Sequence, residues 1–301
     1  MSFNGTIEVR HNPVSNWETY AHTFEESADV KDAGFFGMDF TQRAEGGFHR
    51  AKFNIRGPHE FQSDFMRNAL GREVKVYGDD GALVWEGFIY AMEYDAGRAV
   101  YKVDVGDMSN AVWMRYRVRG ESTTSRSATQ TDTDSIAKFG RKEFILSGGE
   151  LESTDIADYA AQQYLDLHKW PAPSPVRLDP EKELADYPTV SVVCRGWFDT
   201  LNWRVYNQTT STDAQGASAQ VTDIINGTST DVIGVGQFVS NQTIKTNAVS
   251  VGKEYDADRR GGDIIKDIAR LGDQNNNRWL AQMRKDREFV FAPAAPPMEA
   301  T

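Results

Sequence analysis

The sequence predicts a mainly β protein of the α+β class, with two β domains flanking a small α/β insert. Residues 72–108 alternate between apolar and polar side chains in three runs joined by Asp-rich, Gly-containing turns. Residues 120–188 break that pattern with a polar stretch, a helical period and a cluster of prolines. From Thr189 the β pattern returns. Each flank also carries a short amphipathic helix ending in Leu-Gly, at Leu70-Gly71 and at Leu271-Gly272, with a hairpin straight after it. The expected division is therefore 1–119, 120–188 and 189–301.

In the first segment, "AKFNIRG" reads as a short strand. "HEFQSDFMRNALG" reads as a helix, with Phe61, Phe65, Met66 and Leu70 on one face and Gly71 at its C-terminal cap. The meander that follows turns at Asp79-Asp80-Gly81 and at Asp95-Ala96-Gly97, where residues tolerant of the left-handed region are needed. Val74, Val76, Val100, Val103 and Val105 suit a half-buried pleated surface. Arg115, Arg117 and Arg119 alternate along "RYRVR", which places three cations on one strand face and suggests a solvated face or a subunit interface.

Residues 120–135 have almost no apolar anchor and read as a linker. "KEFILS" then reads as a strand, and a helix begins at Ser153 or Thr154. Ile156, Tyr159, Ala160, Gln163 and Leu167 form its apolar stripe, and Pro171, Pro173 and Pro175 end it. In the last segment "TVSVVCRGWFDTLNWRVY" reads as β, and "NQTTSTDAQGASA" as a loop. Residues 261–271 form a helix with Ile264, Ile265, Ile268 and Leu271 on one face, and "NRWLAQMRKD" pairs with "REFVFAPAAPP" as a hairpin.

With 40% hydrophobic residues, the 301-residue chain can bury real cores. Its 44 acidic residues outnumber 33 basic ones, and no segment carries a basic surplus, which argues against wrapping a polyanion. Cys194 is the only cysteine, so no internal disulfide forms; within "VSVVC" it reads as a buried thiol. The N-terminal "MSFNGTIEVR" has neither a charged n-region nor an apolar h-region, so the expectation is a protein made in a cytoplasm without signal or membrane anchor.

Chemistry is sparse. His11, His22, His49, His59 and His168 share no metal-binding spacing, and "GVGQFV" lacks the third glycine of a dinucleotide loop. Carboxylate pairs such as Asp79 with Asp80 and Asp132 with Asp134 sit in turns and polar stretches, where turn and cap duty explains them. Gly140-Arg141-Lys142 suggests a phosphate cradle, but a strand rather than a helix N-terminus follows it. The expectation is no enzyme, no cofactor and no metal site.

Asp132, Ser135, Ile136, Gly140 and Arg141, with Phe139 at an aromatic position, resemble a segment recurrent in the tail-tip and baseplate-hub proteins of tailed bacteriophages. "LGREVKVYGDDGALVWEGFI" and the stretch from Tyr255 to Pro293 look like the flanking β domains of the same proteins, in the same order. The resemblance implies two tail-tube-like antiparallel β-barrel domains with short helices and a lateral α/β insert domain. It further implies a homotrimer whose pseudo-sixfold ring docks on a hexameric tail tube, in a virion tail assembled in the host cytoplasm. Its partners would be tail tube and distal tail proteins, the tape measure protein and tail fibre or receptor-binding proteins, with DNA passing only transiently. Three alternatives stand beside it. One is a hexameric distal-tail or tube protein. A second is a virion carbohydrate-binding module stacking sugars on Trp17, Trp170, Trp197 or Trp203, and the third is a virion hydrolase with two convergent carboxylates.

Overall fold

The computed structural model describes residues 5–10, 17–21, 34–183, 185, 188–206, 215–227, 234–252 and 259–294. The chain is mainly β and divides into two compact units, Met1–Phe40 with Arg50–Arg195 and Thr41–His49 with Gly196–Thr301. Among the described residues no helix is long and apolar enough to cross a membrane.

The first unit is built on an antiparallel sheet. Its strands are β1 (Thr6–Arg10), β2 (Trp17–Ala21), β3 (Gly34–Arg43) and β4 (Gly46–Arg56), of which residues 41–49 belong to the second unit, then β5 (Glu73–Tyr77), β6 (Leu83–Asp95) and β7 (Ala99–Asp104), with helix α1 (His59–Asn68) between β4 and β5. The meander β5–β6–β7 forms as the alternation predicts. Asp80 accepts the Ala82 N–H at 2.9 Å and Asp95 accepts the Gly97 N–H at 2.7 Å, so each turn is closed by its own aspartate. The 13-residue β6 is the spine. One edge pairs with β5 as far as Phe88, then passes to β7 at Ile89 and Tyr90, where Ile89 N–H donates to Arg72 and Val105 N–H donates to Tyr90.

The other edge of β6 takes β13 (Thr189–Arg195), which pairs with β4 on its far side. This moves the expected boundary: residues 189–195 complete the first sheet instead of opening a new domain. Val190, Val192 and Cys194 point into the core, with Trp85, Phe53, Ile55, Ile7, Val9, Val74 and Val76. Phe35 and Phe53 meet edge to face at 6.3 Å. Cys194 is fully buried, and burial pushes its thiol pKa up.

The region expected as an insert lies within the first unit and holds a separate four-stranded sheet, which starts before residue 120. Its central strand is β8 (Ala111–Val118), flanked by β9 (Thr124–Arg126), β10 (Gln130–Thr131) and the parallel β11 (Glu143–Leu151). The stretch read as a linker thus supplies two short strands and opens α2 (Thr133–Phe139). α3 (Thr154–His168) covers the sheet, as expected, but with another face. Ala157, Ala161 and Leu165 are buried against Val112, with Phe144, Leu146 and Tyr164 around them, whereas Ile156, Tyr159 and Leu167 are exposed. Alanine at two successive turns lets the helix lie close to β8, so side-chain volume chose the face. The chain then adds β12 (Ser174–Leu178) to the edge of β7.

The second unit holds β14 (Gln215–Gly216), α4 (Ala217–Asn226), β15 (Asn241–Ile244), β16 (Ser250–Val251), α5 (Gly261–Leu271), β17 (Trp279–Met283) and β18 (Glu288–Pro293). The hairpin β17–β18 forms as expected and turns through Asp286 and Arg287 at φ 57° and 58°. β15 joins β18 in parallel, while Gly46 and Gly47 pair with β17. Residues 197–202, read as β for their aromatic content, form a 3-10 helix, because Thr200 turns its hydroxyl back to the Trp197 carbonyl at 2.6 Å. α4 lies where the polar residues read as a loop, and its buried face includes Gln220 beside Ala217, Val221, Ile224 and Ile225. α5 buries Ile264, Ile265 and Ile268, but Leu271 at its end is 60% exposed.

Between α5 and β17, Asp273 accepts the N–H groups of Asn275 and Asn277 and the Asn277 amide, each at 2.9 Å. The Asn277 amide leads in lowering the carboxyl pKa. Burial opposes it, the backbone N–H groups add to it, and the pKa falls from 3.8 to about 2. A depressed carboxyl pKa adds stability above the unfolded value and loses it as pH falls through the folded one. An NMR titration should therefore find the Asp273 midpoint near 2 and the Asn277 amide signal shifting over the same range. A midpoint near 3.8 would mean that the turn does not hold.

Candidate functional site

The residues singled out in 131–142 converge on one side chain that no sequence pattern marked. Asn110, just before β8, is fully buried. Its amide donates to the Ser135 hydroxyl at 3.2 Å and to the Gly140 carbonyl at 2.8 Å, and its oxygen accepts the Lys142 N–H at 2.7 Å. Its backbone is also engaged, with Asn110 N–H donating to Lys142 and Asp132 N–H donating to Asn110. A buried carboxamide has few such sites, and here both its ends are used.

The other residues of the segment extend this knot. Asp132 caps α2 by accepting the Ser135 N–H at 2.9 Å. The Ser135 hydroxyl donates to the Lys169 carbonyl at 2.6 Å, and the Lys169 ammonium returns to Asp132 at 3.4 Å. Gly140 ends α2 at φ 80°, a conformation that favours glycine. Phe139 lies against Gly71, where a Cβ would stand 2.8 Å from its ring, and meets Trp170 edge to face at 6.0 Å. Ile136 is half-buried on the same helix.

The side chains of Arg141 and Lys142 are held within the chain. Arg141 pairs with the buried Glu143 at 2.7 Å, and the Lys142 ammonium donates to the carbonyls of Val105 and Gly106. The loop it holds is closed by Asp104, which accepts the Gly106 N–H at 2.8 Å and pairs with Lys102 at 2.7 Å. Burial would raise the Asp104 pKa, but Lys102 and the N–H groups of Gly106 and Asp107 together hold it below the usual value.

Arg115 and Arg117 of β8, and Arg119 just past its end, stand apart from the knot. The parallel neighbour β11 sets Glu150 opposite Arg117 in register, with the side chains 3.8 Å apart. Arg119 reaches Glu152 at 2.9 Å. Both pairs are more than half exposed, and Arg115 lies on the same strand.

Other candidates are spoken for by local structure. Trp197 and Trp203 are buried around Phe238, at ring distances of 5.2 and 5.8 Å, while Trp170 is 41% exposed; the side chain of Trp17 lies outside the described residues. His168 stacks on Tyr164 at 4.1 Å, His59 meets Tyr94, and His49 lies 3.3 Å from the Thr41 hydroxyl; His11 and His22 fall outside the described residues. Among the described residues no three His, Cys, Asp or Glu side chains gather as a metal-binding set. No sequence pattern marks Asn110 because a lone asparagine in "DMSNAV" has no period and no partner nearby in sequence; its side-chain contacts lie 25 to 32 residues away.

Asn110→Ala should cost about 2–4 kcal/mol in urea unfolding, because several buried polar groups lose a partner at once. Arg119→Ala, at an exposed pair, should cost under about 1 kcal/mol. Equal losses would show that the knot carries no special weight. No family model, curated protein or solved structure matches the chain.

Proposed function

We propose that this chain is a structural virion protein, a tail-hub or tail-tip component that closes or extends a tail tube and joins it to tip or fibre proteins. The observation carrying this reading is that Asp132, Ser135, Gly140 and Arg141, the residues of the hub-like segment, all serve to fix the insert's own geometry. Residues spent in this way suit a scaffold rather than a catalyst.

In this reading the sheet around β6 is one tube-like barrel, and the second unit, with its matching helix, glycine and hairpin, is the other. Gly71 and Gly272, which follow α1 and α5 at φ 79° and 73°, favour a shared plan. β15 pairs only with β18 among the described residues, and its free edge would be covered by a neighbouring subunit in a closed ring. Three copies would give six barrels, a match to a sixfold tube. The acidic chain would let DNA slide past without being held.

Native mass spectrometry and axial electron-microscopy averages of the purified chain test this reading. Three copies around one axis are expected. Six copies would favour a single-barrel tube protein, and a monomer at high concentration would overturn ring formation altogether.

A further inference from the structure

α3 carries two apolar faces and uses one. The face of Ala157, Ala161 and Leu165 closes the insert's core. On the opposite side Ile156 is 44% exposed, Tyr159 67% and Leu167 77%. At 100° per residue these three and the exposed Gln163 fall within a sector of about 80°, along roughly 16 Å of helix. Trp170, also exposed, follows just past the helix end. Scattered apolar residues on a surface are ordinary, but large ones aligned at helical spacing form a seam that another helix can fill.

The charge around the seam selects what fills it. α3 contains Asp155, Asp158 and Asp166 and neither Lys nor Arg. Asp155 and Asp166 border the seam on one side by their helical angle, and Glu152 precedes the helix. Lys169, beside Asp132 and Asp166, and Arg119, beside Glu152, offset part of this charge, and the sum stays negative because Asp155 and Asp158 add to it. A second copy of this helix would set aspartates against aspartates, whereas an apolar helix bordered by Lys or Arg would complement both the seam and its rim.

We propose that the exposed face of α3 docks an amphipathic, basic helix of a partner protein. This docking rests on α3 alone and does not require the ring.

The test uses the full chain and two synthetic helical peptides of Leu with Lys and of Leu with Glu, both with leucines at i, i+3, i+4 and i+7, followed by fluorescence anisotropy. The Lys peptide should bind saturably. Ile156→Ser with Leu167→Ser, which leaves every charge in place, should weaken it by at least about tenfold. Asp155→Asn with Asp166→Asn should weaken it further and flatten its salt dependence. Melting curves check that the variants fold, and Tyr159→Ser serves as a second probe of the seam. Unchanged binding by folded serine variants would reduce the effect to attraction by an acidic chain and overturn the proposal. Equal binding of the Glu peptide would overturn it too, as would self-association of the chain that the serine variants abolish.

Discussion

The insert depends on one buried carboxamide. Asn110 joins the start of β8, both ends of α2 and the start of β11, and through Ser135 it reaches the end of α3. Inside a protein these bonds are strong because water is absent, and for the same reason each is costly to leave unmade. A single donor–acceptor group and its Ser135 partner thus tie together four chain segments. Asp132, Ser135 and Gly140 are conformational parts of the same device, being a helix cap, a relay and a turn.

The first sheet depends on a constraint of another kind, the slot between β4 and β6. β13 fills it with Val190, Val192 and Cys194 inward and pairs on both edges. Without β13 the two neighbours would each expose a ladder of unpaired N–H and C=O groups. The strand that completes the sheet comes from far along the chain, after the whole insert. The insert is therefore a long excursion between two strands that belong together, and closure of this sheet is a non-local event.

Much of the local structure was legible in the residues. The meander and its Asp-Gly turns, the helices α1, α3 and α5, the final hairpin and the strand after Lys142 follow from period and turn chemistry, each acting over a few residues. What failed locally failed for identifiable reasons. α4 buries Gln220 among its apolar residues, and residues 197–202 carry strand-like aromatics in a turn closed by Thr200. The stripe on α3 was real as a pattern, but Ala157 and Ala161 outcompeted it for the sheet because small side chains permit a closer approach.

By itself, then, the sequence determined the β-rich character, the acidic net charge, and the places of the meander, its turns and the helices α1, α3 and α5. Tertiary structure alone decided where β13 inserts, that the insert begins at β8, which face of α3 is buried, and that Asn110 stands at the centre. The division has a physical cause. Periodicity, capping and turn formation act between residues a few positions apart, while register, close packing and buried hydrogen bonds are settled between groups tens of residues apart.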